Sequence, residues 1–209
     1  MIRILLALLL FTAPALAQDK ISPAVTYSPA PCEFEITFPS PPTETKRCDS
    51  NQENCYSQAR YAEYYSASSR VIIRALCNPV SAANLAHYNE AVMQSTLSAM
   101  ARKKDVKNTE QSYRAEETYK QAGLVGYDKI SDAPRIFIAQ LWIGAKSSLA
   151  IEAELVGEGN DEADALFSDV LKSVQVKAIE QIESADKANT PLDSEALDSK
   201  PLDSSGAQP

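Results

Sequence analysis

The chain has 209 residues, with 20 Lys and Arg against 28 Asp and Glu, a formal net charge of −8, and a single His. Its 44% hydrophobic and 23% charged content is that of a globular domain, which excludes a wholly disordered, collagenous or polytopic membrane chain. The acidic balance excludes a sequence-independent nucleic-acid binder, which needs surplus cations to displace counterions, and one imidazole leaves most zinc centres without ligands.

Met1-Ile2-Arg3 is a short positive start, residues 4–11 are an unbroken apolar run, and Ala15-Leu16-Ala17 is a small-x-small cleavage site. These are the parts of a secretory signal peptide over 1–17, and the run is far short of the ~20 residues that span a bilayer. Cleavage leaves Gln18 first, not the Cys of a lipid-anchored protein, in a mature chain of 192 residues and charge −9. No Asn-x-Ser/Thr sequon occurs, so the expected address is a bacterial periplasm, or secretion from a bacterium, with no membrane span in the mature chain.

Residues 18–31 form a polar, Pro-containing lead, expected to be extended. Phe34, Ile36 and Phe38 alternate with Glu33, Glu35 and Thr37, the period of a half-buried strand. Pro39-Ser40-Pro41-Pro42 stops it, since proline cannot donate to a ladder. Strands are predicted over 56–65 and 71–76, with a turn at 66–69 between them. Ser81 can cap a helix over about 82–103, with Leu85, Tyr88, Val92, Met93, Ala99 and Met100 on its broad apolar face. Arg102-Lys103-Lys104 suit its negative end.

A polar strand region follows over 109–119. Residues 122–127 either continue it past a bulge or start a new strand. Strands 136–143 and 148–156 flank the turn Gly144-Ala145-Lys146. Asn160 or Asp161 caps a second helix, about 162–174, with Ala163, Leu166, Phe167, Val170, Leu171 and Val174 in one stripe. The expected fold is α+β: an antiparallel sheet with two packed helices, in a single domain over 32–179.

From Glu180 the chain turns small, polar and acidic. Leu-Asp-Ser recurs at 192, 197 and 202, and residues 180–209 hold seven acids and two lysines, net −5. A step of five fits neither helix nor strand, so a solvated, disordered tail is expected, with recognition of a basic partner as its sharper role.

Cys32, Cys48, Cys55 and Cys77 are an even set, which in an oxidising compartment reads as two disulfides. Four cysteines allow three pairings. The wholly polar interval 49–54 favours Cys48–Cys55, leaving Cys32–Cys77. The spacings fit neither zinc knuckles nor a redox Cys-x-x-Cys, so no metal is expected.

Two stretches resemble the PsbP-like group of α/β/α proteins. One is Phe34-Glu35-Ile36-Thr37-Phe38-Pro39, a strand closing on Phe-Pro. The other is Ala165-Leu166-Phe167-Ser168-Asp169-Val170-Leu171-Lys172-Ser173-Val174, which looks like that group's terminal helix. The long helix between two sets of strands matches in layout. The chain departs from the pattern in its four Cys, and in Ser40-Pro41-Pro42 where a Trp often follows the Pro. The resemblance implies an accessory or scaffold role in an exported compartment and carries over no catalytic residues.

Candidate chemistry is sparse. His87 has no nucleophile or orienting acid at a recognisable spacing, and reads as an ordinary helix-surface residue. Glu152 and Glu154 share a strand face, expected to be water-facing; a paired-carboxylate site is the sharper reading. Tyr56, Tyr61, Tyr64 and Tyr65, with Arg60 and Arg70, make an aromatic hairpin whose rings and guanidinium groups suit sugars, peptides or a protein partner. Gly123-Leu-Val-Gly126 lacks the Lys-Ser/Thr of a phosphate loop.

Three functions follow in order. The first is a non-catalytic interaction or accessory protein with an envelope partner. The second is a binder of a sugar, peptide or lipid, in a groove lined by Tyr61, Tyr65 and Trp142, with Arg60 and Arg70 nearby. The third is a hydrolase with an unrecognised site. Neither a catalytic set nor a cofactor is expected, and the oligomeric state is not legible.

Overall fold

The computed structural model describes residues 23–178, apart from 49, 51–54, 108 and 159. The expected signal peptide 1–17, the first residues of the lead and the expected tail 180–209 lie outside the described residues.

Ten strands and three helices are described. They are β1 Val25–Tyr27, β2 Phe34–Phe38, β3 Thr43–Cys48, β4 Cys55–Tyr64, β5 Arg70–Pro79, α1 Ala82–Leu85, α2 Glu90–Lys103, β6 Thr109–Ala115, β7 Lys120–Ile130, β8 Ala133–Ile143, β9 Ser147–Val156, α3 Asp161–Lys172 and β10 Gln175–Val176. A seven-stranded antiparallel sheet runs in the order β3-β4-β5-β9-β8-β7-β6, and a smaller one in the order β1-β2-β10. The fold is therefore α+β, with both expected disulfides, Cys32–Cys77 and Cys48–Cys55, in place. No helix among the described residues is long and apolar enough to cross a membrane.

The large sheet is buried on both faces at its centre. On the front face Phe137, Ala139, Leu141, Ala122 and Leu124 pack under Met93, Leu97 and Ala101 of α2. On the back face Val71, Ile73, Ile151 and Leu155 meet Phe34, Ile36 and Phe38 of β2 and Phe167 and Val170 of α3. The period of two in β5, β8 and β9 thus feeds two cores.

The single helix expected over 82–103 is two. His87 N–H and Tyr88 N–H reach back three residues to Asn84 and Leu85 carbonyls, tightening the turn. Asn89 then adopts an extended backbone, and its side chain accepts Val92 N–H at 3.0 Å. An asparagine that caps a new helix competes with continuing the old one. The restart also rotates the apolar face. Met93, Leu97 and Ala101 are buried, whereas Val92 is 40% exposed and Ala99 points outward.

Between β6 and β7 the alternatives resolve into a new strand, because Glu116 N–H closes a turn on the Tyr119 carbonyl at 2.8 Å. β1, β3 and β10 are additions. β3 is an edge strand of Thr-Glu-Thr-Lys-Arg-Cys with every residue exposed, so no apolar alternation announces it. Pairing with β4 and the Cys48–Cys55 link hold it.

Candidate functional site

Strand alternation divides the aromatic hairpin between two faces. Tyr61 turns to the back, 4% exposed, its ring stacked on Phe38 at 5.6 Å and its hydroxyl donating to Glu63 Oε2 at 2.9 Å. Tyr65 packs on the same core, and its buried hydroxyl has no hydrogen-bond partner among the described residues. Trp142 lies at the far end of β2, between Phe34 at 5.9 Å and Tyr119 at 5.3 Å. Tyr61 and Trp142 therefore contact opposite ends of one strand, and the three aromatic residues do not line a common groove.

Burial, and then the hydrogen bond to Glu63, push the Tyr61 phenol up to about 12 from the ordinary 10.0. Burial also raises Tyr65, with Glu63 and Glu162 adding to it, and raises Tyr27, beside Glu44. These phenols stay neutral in the folded chain but ionise at the ordinary value once it unfolds. Their stabilisation is whole below pH 10.0 and is lost as the pH climbs toward about 12. Tyrosinate absorbance is expected to rise in two phases, the later one coinciding with loss of far-ultraviolet circular dichroism. Tyr61→Phe should shrink the later phase. Complete titration before any loss of dichroism would refute this account.

Tyr56, Arg60 and Tyr64 turn to the front. Cross-strand pairing sets Arg47 opposite Tyr56, Arg74 opposite Arg60 and Arg70 opposite Tyr64. The front positions of β3, β4 and β5 hence carry Arg47, Arg60, Arg70 and Arg74 and no carboxylate. The side chains of Arg47, Arg60 and Arg70 make no ion pair or hydrogen bond among the described residues, and Tyr64 is 63% exposed. Like charges directly opposite, as at Arg60 and Arg74, cost stability unless an anion joins them. Arg74 has that relief from Glu152 at 3.9 Å and Glu154 at 3.6 Å; Arg60 does not.

Glu154 corrects the sequence expectation of a water-facing pair, since β9 is a central strand and this residue is buried, while Glu152 stays partly exposed. Glu154 is 8% exposed and accepts Lys104 Nζ at 2.7 Å, with Arg135 at 3.9 Å. Arg135 is clamped on Asp128, and also donates to the Lys104 carbonyl at 3.2 Å at the end of α2. The bond to Asp128 holds the guanidinium charged more firmly than usual. Opposite charges close at hand favour an ion-pair clamp of helix to sheet over acid–base chemistry.

Beside the clamp, a groove of about 320 Å³ runs between α2 and the open half of the front face, lined by Gln58, Arg74, Leu76, Met100, Lys103 and Glu152. A second, mostly apolar groove of about 380 Å³ lies between α3 and the end of β2, against Phe38, Pro39, Leu166 and Val170. His87 is exposed in the turn between α1 and α2, away from the arginines. Gly123 sits in mid-strand in β7, not in a loop.

The sequence reading gathered Arg60 and Arg70 but missed Arg47 and Arg74. Parity along β4 and β5 carries the signal for Arg74. Arg47 joins only through the register of β3, which its own residues do not disclose.

No protein-family model matches the chain, and no curated protein matches it in sequence. Among solved structures it is similar to cyanobacterial PsbP (CyanoP) from Synechocystis sp. PCC 6803, at 13% identity and a TM-score of 0.41, over 79% of this chain and 99% of that one. It is also similar to a Bacteroides thetaiotaomicron VPI-5482 protein, at 12% identity and a TM-score of 0.37, over 74% of this chain and 49% of that one. The chain spans about half the length of the latter. The likeness to PsbP expected from the Phe34–Pro39 and Ala165–Val174 stretches is thus one of element layout.

Proposed function

We propose that the chain is an exported, non-catalytic interaction module that binds an acidic polypeptide on the front face of β3–β5. One observation carries this reading: four guanidinium groups share that face without a carboxylate on its strands, in a chain of net charge −8. Partly buried Ile72 and Leu76 lie between them, so a partner can cover apolar surface while pairing its charges. Bidentate guanidinium–carboxylate bonds supply geometry as well as charge. Export is supported by the signal-peptide pattern and the two disulfides.

Poly-L-glutamate is a direct probe of the face. Binding to the full chain is expected to weaken about tenfold in Arg47→Glu/Arg60→Glu/Arg70→Glu, and to fall steeply with salt. Equal binding by parent and variant would remove this reading. For export, the chain recovered from the producing bacterium's envelope fraction should begin at Gln18 with no free thiol.

A further inference from the structure

We infer that in the resting protein the front face is covered by the chain's own Leu-Asp-Ser segment, residues 191–204. The inference deepens the proposed function, because it rests on that face taking an acidic polypeptide and names a built-in competitor for it.

Three observations converge. The first is charge. Residues 180–209 carry net −5, more than half of the mature −9, while the front of β3–β5 presents Arg47, Arg60 and Arg70 with no ion-pair partner among the described residues.

The second is side-chain chemistry. Each Leu-Asp-Ser step sets a carboxylate beside an isobutyl group, at 192–194, 197–199 and 202–204. The groove next to the arginines offers a matching mixture: Lys103 for a carboxylate, and Leu76 and Met100 for leucine, while Arg74 and Glu152 in its lining are paired with each other.

The third is where the described chain ends. Lys177 N–H donates to the Glu33 carbonyl at 2.8 Å, and its Nζ donates to the Pro29 carbonyl at 2.7 Å. Glu33 in turn grips the turn at Ala145–Ser147, the end of the sheet where Pro79 pairs with Ser147. Leu76, three residues along β5 from Pro79, lies about 10 Å up the strand and on the opposite face. Leu192 is fifteen Cα steps beyond Lys177, enough to span up to about 50 Å. The groove lies well inside that reach, and a tether of this kind gives an effective concentration of order mM, so weak charge pairs suffice.

The test uses the full chain with the photoreactive residue benzoylphenylalanine in place of Leu197, followed by peptide mapping of the cross-links. Intramolecular adducts are expected on Met100 and on peptides bearing Arg60 and Arg74. Their yield should fall about fivefold in about 1 M NaCl, where the screening length is about 3 Å. A comparable fall is expected in Asp193→Asn/Asp198→Asn/Asp203→Asn, whose changes lie outside the described residues. That tail variant keeps the test decisive should arginine reversal impair folding. The same variant is expected to bind poly-L-glutamate about fivefold more tightly than the parent, since the competitor has been weakened.

Adducts around α3 or β6, or a yield unmoved by tail neutralisation, would overturn the inference. Adducts that join two chains and grow with concentration would also overturn it, moving the segment onto a second copy. If poly-L-glutamate binds through the arginines while the tail cross-links elsewhere, the inference falls and the proposed function stands. If the tail reaches Met100 but poly-L-glutamate does not bind, the proposed function falls alone.

Discussion

Replacing Cys32 and Cys77 together by alanine is expected to lower the unfolding free energy by about 4 kcal/mol, the largest effect of any change considered. The bond closes a loop of sequence separation 45, and the chain-entropy relation gives about 4 kcal/mol for a closure of that length. It joins the start of β2, and so the back layer, to central strand β5, with both sulfurs inside the core. The Cys48–Cys55 bond spans a separation of only 7, for which the same relation gives about 2.4 kcal/mol. Cys48 is also exposed, on an edge strand. Urea unfolding followed by the fluorescence of Trp142, the single tryptophan, measures both losses. Equal costs for the two double variants, or a larger cost for the outer pair, would show that loop closure is not what the inner bond supplies.

Glu33→Ala should cost about 3 kcal/mol, although the residue is only half-buried and looks like a polar position on an alternating strand. Its carboxylate accepts Ala145 N–H at 3.1 Å, Lys146 N–H and Ser147 N–H at 2.8 Å, and Ser147 Oγ at 3.0 Å. Its own N–H donates to Ser147 Oγ at 2.9 Å. Hydrogen bonds to a charged acceptor are each worth about 1.5–3 kcal/mol, but only Ser147, fully buried, is left with donors that lose their acceptor without water to replace it. Glu33→Gln keeps one acceptor oxygen and should recover roughly half of the loss.

Gly144 sharpens this case. A Cβ there would run into the Glu33 carboxylate. A free glutamate would swing aside, but this one is held by four bonds, so Gly144→Ala must break them to be accommodated. The alanine is expected to be costly in the parent and nearly neutral in Glu33→Ala. A double-mutant cycle with urea unfolding reads that coupling, and additive losses would mean that the turn does not depend on the carboxylate.

Much of the fold was legible because burial writes itself as periodicity. Phe34-Ile36-Phe38, Val71-Ile73-Ala75 and Leu149-Ile151-Ala153 mark strands, and the stripe from Ala163 to Leu171 marks α3. The even cysteines with a polar interval between two of them led to the right pairing. Local competition was harder to read. The 82–103 segment carries helical spacing throughout, yet Asn89 restarts the helix, because a cap gains a hydrogen bond that the helix interior cannot offer it. β3 was invisible because an exposed edge strand buries nothing, so its residues follow no pattern.

The candidate site divides in the same way. That Arg60 and Tyr64 part company with Tyr61 and Tyr65 follows from alternation alone, since successive side chains in a strand point to opposite faces. Which face stayed open, and which arginines met on it, depended on the order β3-β4-β5-β9 and on α2 covering β7 and β8 instead. Glu152 and Glu154 look solvent-facing in sequence, but Lys104 at the end of α2 pairs with both and Glu154 is buried, because β9 became a central strand. Glu33 reaches a turn more than a hundred residues away. The chain by itself determined which side chains seek burial and at what local period. Only tertiary packing decided which strands became neighbours, because that choice balances burial and charge over the whole sheet, and no local stretch contains that balance.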